Sequence, residues 1–175
     1  MKKKYVKDYI ADKTAEGGYR YTGVYYMDQL EADIRKKNGL IHLIIGALQI
    51  VFILLAASIN CMGNRTIYVV IPLECTLLCS LNLCLGAYTF LKTNNRMELK
   101  DYEGSYLKMV QSVTIAFFLN VGSIIGQIVV LVKGIYEYGL LNEVLLLLVL
   151  IFMAAVNVAE WMWQRKLISL VKLEK

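Results

Sequence analysis

Ile67-Tyr-Val-Val-Ile-Pro-Leu-Glu-Cys-Thr-Leu-Leu-Cys-Ser-Leu-Asn-Leu-Cys-Leu-Gly86 is an oily run broken by one proline and one carboxylate. Extended to Leu91, it matches the length of an apolar helix that crosses a hydrocarbon core, which takes about 20 residues for roughly 30 Å. Three other blocks have the same character: Leu40–Asn60, Met109–Val132 and Leu140–Ala159. A soluble chain of 175 residues has little room to bury four such segments, and 58 % hydrophobic content with a mean hydropathy of +0.52 lies above the soluble range. The expectation is an all-α membrane protein, a four-helix transmembrane bundle with the bilayer as its solvent.

Charge sets the orientation. Seventeen of the nineteen Lys and Arg fall before the first span, between the second and third, or after the fourth. Only Arg65 and Lys133 occupy the two alternate connections. Positive flanks stay on the cytoplasmic side, so the reading is a multi-pass protein of the cell membrane with N- and C-terminus both cytoplasmic. The Lys-rich start lacks a short apolar region with a cleavage site, so no removable signal peptide is expected. The chain divides into a cytoplasmic region 1–38, a membrane domain 39–160 and a tail 161–175. The tail is expected to continue helically, with Trp161 and Trp163 in an interfacial belt.

Within 1–38, Tyr9-Ile-Ala-Asp12 and Tyr19–Tyr26 flank a turn-like stretch with two glycines, which predicts a β-hairpin. An isolated hairpin is marginal in water, so it must lie on something. Asp28-Gln-Leu-Glu31 has the spacing of a capping box. It predicts a short interfacial helix over 29–37, stopped by Asn38-Gly39, with Arg35, Lys36 and Lys37 at the lipid headgroups.

Membrane helices associate through small residues and hydrogen bonds rather than through hydrophobicity. In the third span, Ser112, Ala116, Asn120, Ser123 and Gln127 recur on one stripe beside the GxxxG pair Gly122 and Gly126, marking it as the central helix. In the second span, Cys75, Cys79, Asn82 and Gly86 form a similar series. Gln49, Asn82, Asn120, Ser123, Gln127 and Asn157 are therefore placed in a polar bundle interior, where unpaired amides are costly. Glu74 is the candidate ion or proton site, because an intramembrane acid marks function by default. Pro72 would kink the helix beside it and free a carbonyl. The alternative has Glu74 protonated and bonded to Gln127 or Asn120, as a structural link between helices.

The cysteines suggest no chemistry: Cys75, Cys79 and Cys84 act as small apolar residues, and Cys61 is placed for an intermolecular disulfide only where the exterior is oxidising. No catalytic motif, metal set or cofactor signature is present, and topology explains the basic excess without nucleic acid. The expected function is a non-enzymatic interaction or transport-associated subunit, self-assembled as a homo-oligomer or docked on a larger membrane complex. The second reading is a small homo-oligomeric proton- or cation-coupled transporter or channel built on Glu74.

Overall fold

The computed structural model describes residues 8–11, 19–134, 136–169 and 171–174. Among them are four helices long and apolar enough to cross a membrane: α1 (Ala32–Ser58), α2 (Ile67–Lys92), α3 (Leu99–Val132) and α4 (Leu140–Ile168). At 1.5 Å per residue, each is roughly 40 Å or longer. α3 contains one π-helical turn, Glu103–Leu107.

The helices form a ring. α1 packs on α2, α2 on α3 and α3 on α4 along their lengths, while α4 and α1 meet much less extensively. Each buried stripe is a run of alternating three- and four-residue steps. On α4 it is Glu143, Leu146, Leu150, Met153, Asn157, Glu160, Gln164 and Leu167. That spacing keeps one face of a helix turned to its neighbours.

Close approach between helices falls where the side chain is missing. A Cβ on Gly46 of α1 would sit 2.7 Å from Cys84 Sγ, and one on Gly86 of α2 would sit 2.8 Å from Met109 and 3.4 Å from the Ser105 carbonyl in the π turn of α3. A second close α2–α3 approach is built around Pro72. Lacking an N–H, Pro72 leaves the carbonyl of Tyr68 without its helical donor. Gly126 of α3 packs against that carbonyl, where a Cβ would come within 2.8 Å. One turn away, Ser123 Oγ donates to the Val69 carbonyl at 3.2 Å. Gly122 has its nearest neighbour, Pro72 Cγ, at an ordinary 3.9 Å. Of the two glycines in the motif, only Gly126 makes the close contact.

Two apolar clusters fill the ring. One, toward the loops 59–66 and 133–139, contains Ile53, Val69, Leu73, Leu146 and Leu150. The other, toward the chain termini, contains Leu83, Phe90, Met97, Tyr106 and Met109. Between them lies a polar layer of Gln49, Ser80, Asn120 and Asn157. These two ends are called the loop end and the terminal end below.

The terminal end carries the small sheets. β1 (Tyr9–Ala11) and β2 (Tyr19–Tyr21) pair antiparallel with Tyr9 opposite Tyr21, which is the hairpin expected, but its second strand ends at Tyr21 rather than running to Tyr26; its turn lies outside the described residues. Three further strands were not foreseen: β3 (Tyr25–Asp28) runs between β4 (Arg96–Met97) and β5 (Val171–Glu174). The sheet joins three chain segments far apart in sequence at one end of the bundle.

Several local expectations are overturned here. The capping box does not form: α1 begins at Ala32 with Glu31 at its N-cap and no side-chain cap, and it runs through Asn38-Gly39 to Ser58 without a stop. Asp28 is engaged elsewhere. Its Oδ2 accepts from Arg35 Nε at 3.1 Å and from Tyr106 OH at 2.5 Å, and its Oδ1 accepts from Leu30 N at 2.9 Å. Arg35 is consequently buried rather than exposed at a surface. It also donates to the carbonyl and hydroxyl of Thr93 and lies 4.6 Å over the Phe90 ring. Gly39 continues the helix because it fits against Phe90 and Leu91. The tail does not stay helical either, since α4 ends at Ile168 and 171–174 joins the sheet.

Candidate functional site

Side-chain chemistry inside the bundle gathers at three levels. At the loop end, Glu143 is fully buried. Its Oε1 accepts the Met62 amide at 2.5 Å, while its Oε2 accepts the Gly63 amide at 3.2 Å and Gln127 Nε2 at 2.8 Å. Gln127 Nε2 also reaches the Glu143 carbonyl at 3.0 Å. The carboxylate thus anchors the tight 59–66 loop to α3 and α4. Gly63 is required by this arrangement, because a Cβ there would lie 1.9 Å from Gln127 Oε1. Cys61 beside it is buried, not presented for an intermolecular bond, and burial raises its thiol pKa.

At the middle level, Gln49 Nε2 donates to Asn157 Oδ1 at 2.7 Å, and Ser80 Oγ donates to Gln49 Oε1 at 3.1 Å. This links α1, α2 and α4 at one depth. Asn120 of α3 is also fully buried, with neither amide atom partnered among the described residues.

Near the terminal end, His42 of α1 places Nδ1 2.5 Å from Glu160 Oε1 of α4, and Gln164 Nε2 donates to the same oxygen at 2.8 Å. All three side chains are at most 1 % exposed. Phe90 and Trp163 flank the imidazole, with ring centroids 6.4 and 5.3 Å away. His42 Nε2, Glu160 Oε2 and Gln164 Oε1 have no partner among the described residues. Glu160 and Trp163 also line a cavity of about 350 Å³ in the cleft where α1 and α4 meet loosely.

The expected interior residues fare unequally. Asn120, Ser123, Gln127 and Asn157 are buried, as is Gln49. Glu74 and Asn82 are not: both are exposed on the outward face of α2. The buried stripe of α2 is Val69, Leu73, Thr76, Ser80, Leu83, Gly86, Ala87 and Phe90; of the expected Cys75–Cys79–Asn82–Gly86 series, only Gly86 lies on it. Thr76 and Ser80 face inward cheaply because their hydroxyls bond their own helix, to Pro72 O at 2.8 Å and Thr76 O at 3.0 Å. Among the described residues Glu74 therefore bonds neither Gln127 nor Asn120.

Glu160 and Gln164, like Thr76 and Ser80 on α2, are buried polar residues that sequence reasoning missed; a span closed at Ala159 puts these two outside. The signal was available. From Asn157, steps of three and four continue through both, as they do from His42 to Gln49 on α1.

Among the described residues, no three His, Cys, Asp or Glu side chains gather as metal ligands would. No protein-family model, curated protein or solved structure gives a match to this chain.

Proposed function

We propose that this chain is a non-catalytic membrane subunit, with both termini in the cytoplasm, that docks through the outward face of α2 onto a transmembrane helix of a larger complex. One observation carries the reading: Glu74 projects outward from the body of α2, seven residues past Ile67, or about 10 Å along the axis. An ionisable group facing acyl chains costs roughly 3 kcal/mol on insertion scales. A partner helix carrying Lys, Arg or an amide beside Glu74 would offset that cost. Asn82, two turns on, supplies a second polar contact on the same side of the bundle. The orientation follows from the clustering of Lys and Arg in the segments at the terminal end.

The test is gentle solubilisation of native membranes followed by sizing of the wild type and of Glu74→Leu. A companion whose spanning helix carries a basic or amide residue should hold the wild type and be released by Glu74→Leu, with the bundle's melting temperature unchanged. A lone monomer in both forms would sink the proposal. If the only companion is a second copy, the homo-oligomeric transport reading takes its place. Proton or cation flux in vesicles, lost in Glu74→Gln, then decides it.

A further inference from the structure

Where α2 ends, at the terminal end of the bundle, an open pocket of about 450 Å³ lies between β3 and the α2–α3 connection. Tyr88 and Lys92 come from the last turns of α2, Tyr25 from β3, Arg96 from β4, and Glu98 and Asp101 from the start of α3. Its lining is mostly polar, and the charges are sorted by depth. Lys92 and Arg96 are exposed, whereas Glu98 and Asp101 are half-buried. Each cation lies over a ring: Lys92 Nζ is 4.5 Å from the Tyr88 centroid, and Arg96 Cζ is 3.9 Å from that of Tyr25. Glu98 commits one oxygen to the Tyr9 hydroxyl. Among the described residues, neither the Lys92 ammonium nor the Asp101 carboxylate has a hydrogen-bond or ion-pair partner.

A positive rim over a negative floor suits a ligand that carries both charges close together. The apolar run of α2 stops at Leu91, so Lys92 is its first charged residue toward this end. Tyr88, 50 % exposed, stands one turn further in. Tyrosine and lysine at such a boundary lie at headgroup level, within reach of a phospholipid whose tails stay beside α2. The rings narrow the choice of head group. Each already has a cation of the protein over one face, which leaves little of the aromatic cage that holds a quaternary ammonium. Carboxylates favour N–H donors instead, and a primary ammonium has three. We infer that this pocket binds the phosphoethanolamine head of a membrane phospholipid, its phosphate on Lys92 and Arg96 and its ammonium on Asp101 and Glu98. The inference rests on the four helices spanning a bilayer. It is independent of the partner proposed for Glu74, which lies fourteen residues, or about 21 Å, from Tyr88 along α2.

The probes are dioleoyl phosphatidylethanolamine, phosphatidylcholine and phosphatidylglycerol, each titrated against the purified full chain in detergent micelles and read by native mass spectrometry. No companion protein is present, so the docking proposal does not enter the result. Phosphatidylethanolamine should fill one saturable site, and the other two should bind roughly tenfold or more weakly. Asp101→Asn breaks no side-chain bond described here and should cut that preference about fivefold. Lys92→Gln should weaken phosphatidylethanolamine and phosphatidylcholine alike, since both carry the phosphate. Equal retention of the three lipids, or a preference unchanged in Asp101→Asn, would overturn the assignment. Displacement of the lipid by soluble phosphoethanolamine at matching concentration would overturn its membrane source. A chain that stays in solution without detergent would overturn both this site and the membrane reading.

Discussion

Helix α4 buries two carboxylates, Glu143 and Glu160, seventeen residues or about 25 Å apart along one stripe. Glu143 is satisfied on both oxygens, by two loop amides and Gln127. Glu160 takes two contacts on one oxygen and leaves the other buried without a partner among the described residues. The same residue type, burial and helix serve a structural cap at one end of the bundle and an open acceptor at the other. The number of donors around an acid, rather than its burial, separates the two roles.

The sharpest way to break that comparison is to neutralise both acids in turn. Glu143→Gln turns an amide toward the Met62 and Gly63 N–H groups and leaves buried donors facing one another. A loss of about 3 kcal/mol is expected, against roughly 1 kcal/mol for Glu160→Gln, which keeps an acceptor for His42. Denaturant melts followed by circular dichroism measure both. Equal losses would remove the distinction.

A nearly comparable effect is expected where the terminal end is latched. Asp28→Ala strands the buried Arg35 guanidinium, which keeps its Thr93, Met97 and Phe90 contacts but no carboxylate. A loss of about 3 kcal/mol is expected, as for breaking a buried pair from one side. It should appear first as protease cleavage of the three-stranded sheet, with the loop end still intact. Simultaneous loss of both ends would show that they are one cooperative unit.

The glycine motif provides a smaller and more selective contrast. Gly126→Ala pushes a methyl against the Tyr68 carbonyl and should cost about 1–3 kcal/mol. Gly122→Ala meets only Pro72 at ordinary distance and should be neutral, or stabilising by up to about 1 kcal/mol through helix propensity. Matching losses at the two positions would contradict the crossing described here.

The smallest effect concerns the hairpin. The Tyr9 hydroxyl donates to Glu98, and that acceptor, with some burial, raises the phenol pKa above its usual value of 10.0. A raised pKa means the folded state holds the proton more tightly, so the contribution is complete below the ordinary tyrosine range. It is lost as pH climbs above about 10. Docking of β1–β2 should loosen in that alkaline window, and Tyr9→Phe should weaken the pH dependence, leaving the part due to Tyr21, whose phenol pKa burial also raises, at a cost under about 1 kcal/mol. Protease sensitivity of the N-terminal segment across pH reads both.

Much of this molecule was legible in its sequence. Four apolar runs became four helices, the tyrosine-rich strands paired, and the stripe on α3 faced inward at Asn120, Ser123 and Gln127. The misreadings share a cause. On α2 the inward candidates were small or polar residues one position off the packed face, whereas Thr76 and Ser80 bury easily by bonding their own backbone, and Glu74 and Asn82 were left on the outer face. At Asp28, a local capping pattern lost to a long-range competitor, because Arg35 and Tyr106 offered stronger partners than a helix terminus. At Glu160, a span boundary drawn by hydropathy cut through a stripe whose period ran on.

What the sequence determined alone was the number, length and apolar character of the helices, because those follow from local composition and from the cost of exposing backbone in hydrocarbon. Only the tertiary structure decided which acid found donors, which faced outward and which was left half satisfied. Those outcomes depend on what neighbouring helices and loops present at each depth, and a periodic pattern along one helix carries no record of its neighbours.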